Sequence, residues 1–454
     1  MSYANWHVRA LTSLDSESAE TVLLDLLNEP EYESEAGLAL VRLARTRNTE
    51  EPFGFKPRDY SVVWEARAGR RPNEYDEVRR RRYATAIKQR INTLLDERAR
   101  DAQTAILDGR LKSLAKILAT LDSHDSAELV LHIMAFPGKW DGWGRVNALA
   151  SLLFSGVQLP TEATLKVLNP TIEDMLAQGL WNDQNRWLLK NCLCLLPFVD
   201  NPSIGIARIR EVISVTRLPV HELRDVVTAL GGSRCDEAMI FLRDIARSLG
   251  DKLKQIMKEW IKAIAALGSP ESKRLLLSFI NADANEFMAK ISLDDHESDF
   301  LASSIADMVQ AEAEIKRHIL PLCDTQLSTT KRLLLSKVVT RLGTLDAVFA
   351  GLNLIDDTTK PSVPYEVQEA IGAVFLEWRP HRKTGWFTLV RRGSNEIRAK
   401  LLEMATKDGR RKQSAFALLG QIEVWRLEHG RPTTESRHPA FDSGEMWPPI
   451  RTAG

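Results

Sequence analysis

Residues 19–45 read AETVLLDLLNEPEYESEAGLALVRLAR, and this stretch decides the fold. Leu23, Leu24, Leu26 and Leu27 make one apolar face at helical spacing; Leu38, Leu40, Val41, Leu43 and Ala44 make a second. Asn28-Glu29-Pro30 between them is a turn signal. Two short amphipathic helices with a tight turn form one helical hairpin. One hairpin cannot bury its apolar faces alone, so neighbours must stack on it.

The end of such a helix recurs along the chain. Thr12-Ser13-Leu14-Asp15-Ser16 precedes an apolar helix, as does Ala119-Thr120-Leu121-Asp122-Ser123. Thr228-Ala229-Leu230-Gly231-Gly232, Ala265-Ala266-Leu267-Gly268-Ser269 and Thr340-Arg341-Leu342-Gly343-Thr344 do the same. Leu121 follows Leu14 by 107 residues, Leu230 follows Leu121 by 109, Leu267 follows Leu230 by 37 and Leu342 follows Leu267 by 75. These gaps are near three, three, one and two steps of roughly 36–37 residues, a period that marks a helical repeat array. In each junction the leucine packs inward. Gly then supplies a left-handed C-cap, and Asp or Ser caps the following helix. The expectation is an all-α solenoid of stacked antiparallel helical hairpins in a right-handed superhelix. Leu23, Leu27, Leu230, Leu267 and Leu342 belong to its core. Only Tyr60-Ser61-Val62-Val63-Trp64 offers a strand pattern.

The helix–turn–helix from Ala19 to Arg45 resembles a HEAT repeat, and the junctions extend that resemblance over most of the chain. Looser similarity attaches to Trp140-Asp141-Gly142-Trp143-Gly144-Arg145, to the run Trp181 to Pro197, and to the ending from Gly430-Arg431-Pro432 to Trp447-Pro448-Pro449. These resemble the helical-repeat portions of bacterial NACHT-like NTPase and defence-associated proteins. That resemblance implies a non-catalytic recognition scaffold in a bacterial antiphage or NTPase-linked setting.

Composition sets bounds on this. The 454 residues are 44% hydrophobic and 27% charged, which suits a folded chain. Lys+Arg and Asp+Glu are both 61, so no global charge draws the protein to nucleic acid. Cys192, Cys194, Cys235 and Cys323 sit in helical apolar patterns and read as buried free thiols of a reducing cytoplasm. The N-terminus lacks the order of a signal peptide, and no apolar run nears the roughly 18 residues of a membrane span. The expected organisation is a terminal repeat over 1–45, an aromatic Pro/Gly-containing insertion over 46–75, the solenoid over 76–430 and an extended tail over 431–454.

The sequence has no phosphate-binding loop, dinucleotide fingerprint, nucleophile elbow or His-Glu-x-x-His. No catalytic residue, cofactor or metal is therefore assigned. Asp294-Asp295-His296-Glu297-Ser298-Asp299 is dense in oxygen ligands but lacks EF-hand spacing and reads as part of an acidic loop over 281–300. His429 and His438 have no further ligands beside them. Two basic regions are candidates for anions or partners. In the first, Arg79, Arg81, Arg82 and Arg90 flank the apolar stripe of a long helix, while Arg80 falls near that stripe and needs an acid. In the second, Arg382, Lys383, Arg391 and Arg392 alternate with Trp378, Trp386 and Phe387. A solvated, ion-paired face is the plain alternative for both.

Three functions remain open at this point: a scaffold for a protein partner or effector domain, a nucleic-acid binder using both basic regions, and a HEAT-like base-repair glycosylase. Trp6, Val8, Ala10, Leu11 and Leu14 read as the second helix of a hairpin whose first helix is missing. Trp6, Val8 and Leu11 are therefore expected to form an interface with an upstream domain, a partner or a second copy, unless the helix folds flat on its neighbour.

Overall fold

The computed structural model describes residues 4–14, 16–45, 75–100, 104–137, 142–179, 183–216, 218–280, 293–311, 317, 319–324, 327–342, 344–354, 396–406, 412–413 and 415–420. The candidate strand over 60–64, the insertion up to residue 74, the first part of the acidic loop and the tail lie outside the described residues. Two compact units divide at Ser272 and Lys273.

The first unit runs α1 Ala4–Leu14, α2 Glu17–Leu26, α3 Glu33–Ala44, α4 Glu77–Arg100, α5 Thr104–Leu121, α6 Ser123–Met134, α7 Gly142–Phe154 and α8 Thr161–Gln178. It continues through α9 Asp183–Leu195, α10 Pro202–Val215, α11 Val220–Gly232, α12 Asp236–Leu249 and α13 Met257–Leu267, and α14 Pro270–Ser278 begins at its end. Two isolated bridges, Arg45 with Tyr75 and Leu159 with Val199, are the sole β-type pairings among the described residues.

The packing is that of stacked hairpins. Odd-numbered helices form one row, in which α1 packs on α3, α3 on α5, α5 on α7, α7 on α9, α9 on α11 and α11 on α13. Of the even-numbered helices, α6, α8, α10 and α12 form the second row, also neighbour on neighbour. The chain passes from one row to the other at every turn. Between Leu121 and Leu230, the ends of α5 and near the end of α11, lie three hairpins, as the 109-residue gap demands. The 107 residues before Leu121 hold two steps of the odd row instead of three, because the insertion before Tyr75 takes up the rest.

Junction chemistry explains the helix ends. Ser16 Oγ accepts from Ala19 N at 3.2 Å, and Thr344 Oγ1 accepts from Ala347 N at 3.4 Å. Gly268 stands at φ +63° and is the left-handed cap of α13. Gly231 serves differently: it lies inside the last turn of α11, and a Cβ there would collide with the backbone of Ala263 on α13. It is glycine so that two odd-row helices can touch. Leu23, Leu27, Leu230, Leu267 and Leu342 are all buried. Leu14 is the exception at 65% exposure.

In the second unit α15 Asp295–Ala311 packs on α16 Thr329–Leu342, which packs on α17 Leu345–Asn353, with a 3₁₀ turn at Leu320–Asp324 against α17. No helix of the described residues is long and apolar enough to cross a membrane.

Leu267→Ala should lower unfolding free energy by roughly 2–5 kcal/mol, since it empties a site closed by α11 and α12. Gly231→Val should cost at least as much by forcing α11 off α13. Urea denaturation of both variants checks the register, and a near-neutral result for either would contradict it.

Candidate functional site

The arginines of α4 are held by acids distant in sequence. Tyr83, Ala84, Ile87, Ile91 and Leu94 form the buried stripe of this helix, which packs on α3 and α5. Cations flank that stripe and meet three buried carboxylates. Glu20 of α2 pairs with Arg79 at 2.8 Å and Arg82 at 3.4 Å. Glu33, the first residue of α3, takes Arg90 at 2.6 Å and Arg110 of α5 at 2.9 Å. Asp122, just before α6, takes Arg80 at 2.8 Å and Lys88 at 2.7 Å, and accepts from Ser126 Oγ.

Each acid is thus shared by two cations, an arrangement that offsets the desolvation of a buried charge. Burial works against the Asp122 carboxylate, but Lys88, Ser126 and Arg80 outweigh it and hold its pKa below the usual range. Arg80, which lay awkwardly near the apolar stripe, answers to both Glu77 and Asp122. Its hydrogen bond, with that of Arg81, brings Glu77 down to about 2. Of the four arginines read from the sequence, Arg79, Arg82 and Arg90 are tied into the fold. Arg81 is 75% exposed and pairs only locally, with Glu77 at 2.7 Å. Arg382, Lys383, Arg391 and Arg392 lie outside the described residues.

At the chain start Val8 is buried and Leu11 half-buried, and α1 packs on both α2 and α3. The side chain of Trp6 lies outside the described residues. The acidic cluster near residue 297 is structural chemistry: Asp294 and Glu297 cap the start of α15 reciprocally, and Asp299 pairs with Lys337 at 3.0 Å. Among the described residues no group of acids, histidines and cysteines could hold a metal ion. The cysteines are free, and burial pushes the Cys192 thiol up to about 12. Cys235 departs from expectation in being partly exposed, at the N-cap of α12.

The two rows present different surfaces. On the even row an inter-repeat ladder runs from Arg208 to Glu173, from Arg210 to Asp244 and from Arg243 to Glu271. It links α8 to α10, α10 to α12 and α12 to α14. On the odd row each helix between α1 and α13 has neighbours on two flanks and other helices behind, so a single stripe stays open. That stripe carries Trp143 and Asn147 on α7, Trp187 on α9, Arg224 on α11, and Lys258 and Lys262 on α13. Lys190 of α9 spans to Glu222 at 3.0 Å and Asp225 at 2.8 Å on α11. Burial opposes its charge, yet the two carboxylates hold its pKa above the ordinary lysine range. None of these odd-row residues was singled out in the sequence as a site, because the stripe exists only once the stack is formed.

Comparison with known families finds that residues 370–448 match NACHT C-terminal Alpha/Beta 2. The matched segment contains the second basic region and runs past residue 430, where the sequence suggests the tail begins. Neither the curated proteins nor the solved structures contain a match to this chain.

Glu33→Gln should destabilise the first unit by about 3–5 kcal/mol, because Arg90 and Arg110 lose a buried partner. A pH titration supplies a second check. Asp122 has a folded pKa below its unfolded value of about 3.9. Its contribution is therefore fully present above that value and is lost as pH falls through it towards the folded pKa. Asp122→Asn should flatten the acid limb of the stability profile; an unchanged limb would mean the carboxylate does not hold α4.

Proposed function

We propose that the chain is a non-catalytic recognition scaffold of an NTPase-linked system. Its helical stack, HEAT-like in kind, would hold a protein partner or effector domain on the odd-row surface. The match of residues 370–448 to a NACHT-associated C-terminal domain carries the link to NTPases. The stacked hairpins support the scaffold part, since such an array offers a long surface assembled from successive repeats. A cytoplasmic, bacterial and antiphage setting is part of this reading, and so is an NTPase domain upstream or on a separate chain.

A second reading takes nucleic acid as the ligand, with the exposed Arg81 and the half-exposed Arg82 among the phosphate contacts. Under it, binding would fall steeply with salt and show little sequence preference. Changing Arg81 and Arg82 to Ala would then lower affinity in gel shifts.

The deciding experiment is purification of the tagged full chain from its native host, with and without nuclease, followed by reconstitution from separately purified components. A protein partner recovered in near-stoichiometric amount after nuclease, and re-forming the complex when mixed, is the expected result. Recovery that disappears with nuclease, leaving no partner protein, would overturn the scaffold reading in favour of the second.

A further inference from the structure

The thinnest packing in either row between α6 and α13 falls at one joint, where hairpin α7–α8 meets hairpin α9–α10. In the odd row α7 touches α9 less than any other neighbouring pair touch, and in the even row α8 meets α10 only sparsely. The joints beyond are fastened differently. Lys190 of α9 reaches Glu222 at 3.0 Å and Asp225 at 2.8 Å on α11, and α11 presses on the backbone of Ala263 of α13 at Gly231. Between α7 and α9 the close approach is that of Gly142 to the side chain of Leu188.

Hydrogen bonds tie the even side of this joint. Asp200 N donates to the Leu159 carbonyl at 2.8 Å. The Asp200 carboxylate accepts from Thr161 N at 2.9 Å and from the Thr161 hydroxyl. Asn201 N donates to Thr161 Oγ1 at 3.0 Å. These bonds join the start of α8 to the start of α10. About two and three turns further along α8, Arg208 of α10 donates to Asn169 Oδ1 at 3.1 Å and pairs with Glu173. α8 also packs on α9. A rotation of hairpin α9–α10 about α8 can keep these contacts while α7 and α9 part.

What the odd-row seam hides favours parting. Arg145 of α7 reaches back to Thr171 of α8 at 3.1 Å and to the carbonyls of Met134 and Phe136. Asn147, two residues on and about 200° round the helix, stands on the outer side. On α9, Asn191 is two residues from each of the core residues Leu189 and Leu193 and so stands opposite them. Yet the Oδ1 of Asn147 and both amide atoms of Asn191 are buried without a hydrogen-bond partner. A carboxamide in that state destabilises the closed form, and water relieves the penalty.

We infer that this joint is a hinge: hairpin α9–α10 swings about the hydrogen-bonded α8–α10 contacts, the seam between α7 and α9 parts, and water reaches the two amides. The curvature of the odd-row surface then changes at one defined place in the first unit. A ligand that prefers the open or the closed form shifts the balance by its difference in affinity for the two.

Two native thiols read the motion. Cys192 and Cys194 are both buried. Cys192 lies within electrostatic reach of Arg145 on α7, and Cys194 within reach of Asp225 and Glu222 on α11. Parting α7 from α9 bares Cys192 and leaves Cys194 covered.

The test is iodoacetamide labelling of the purified full chain under native conditions, with tandem mass spectrometry assigning the label. Cys192 should react at least tenfold faster than Cys194. Low urea should leave the Cys192 rate nearly unchanged, because a local opening exposes little surface. Sucrose should slow it, since an excluded osmolyte opposes newly wetted surface. Asn147→Leu, on the helix facing the thiol, should slow Cys192 at least tenfold. The double variant Asn147→Leu/Asn191→Leu should keep its thermal midpoint level or raise it. Equal rates at the two thiols, faster reaction at Cys194, or reaction only where the whole unit unfolds would overturn the hinge. So would a Cys192 rate indifferent to Asn147→Leu. A lower thermal midpoint in the double variant would do the same, by assigning the amides to the closed fold. None of these outcomes depends on what the scaffold binds, so failure here leaves that reading in place.

Discussion

The structure of the first unit depends on how closely odd-row helices approach one another. At Gly231 the approach is so near that the backbone of Ala263 occupies the place of a side chain, and at Gly142 the side chains of Leu188 and Thr171 do. Close packing on both flanks leaves each odd helix a single open stripe, and the burial of long apolar runs such as Leu188–Val199 follows from it. Even-row helices face a looser surface, joined by ion pairs between charges that are largely accessible.

Where the repeat is interrupted, electrostatics takes over from periodicity. α4 lies against α3 and α5 and sends cations to Glu20, Glu33 and Asp122 on three different elements. Tyr75 adds a hydrogen bond from its hydroxyl to the Thr120 carbonyl at 3.1 Å. Burying single carboxylates would be costly, and sharing each between two cations answers that cost. The arginine-rich helix, which attracts attention as an anion site, is thereby largely a set of struts.

Much of the architecture was legible because it rests on local rules. Leucine junctions, Asn28-Glu29-Pro30 and the step of roughly 37 residues each report a helix end, and stacking follows from them. The 107-residue gap misled because an insertion imitates the length of a repeat. The partners of Arg79 and Arg90 were hidden for another reason: Glu20 and Glu33 lie 59 and 57 residues away, and only the assembled fold joins them. Gly231 looked like a cap because sequence shows that a glycine is needed without showing why.

The pairing of Arg45 with Tyr75 has a consequence for how the protein can change. Asp76 N donates to the Ala44 carbonyl at 2.7 Å across the same gap, so the residues on either side of the interval 46–74 meet at one place. What happens between those two points is free of the repeat's length rule, since closing a longer excursion between fixed ends costs only logarithmically more. The interval 46–74 is in this sense a socket: sequence can be lengthened, shortened or exchanged there without shifting the phase of the helices on either side.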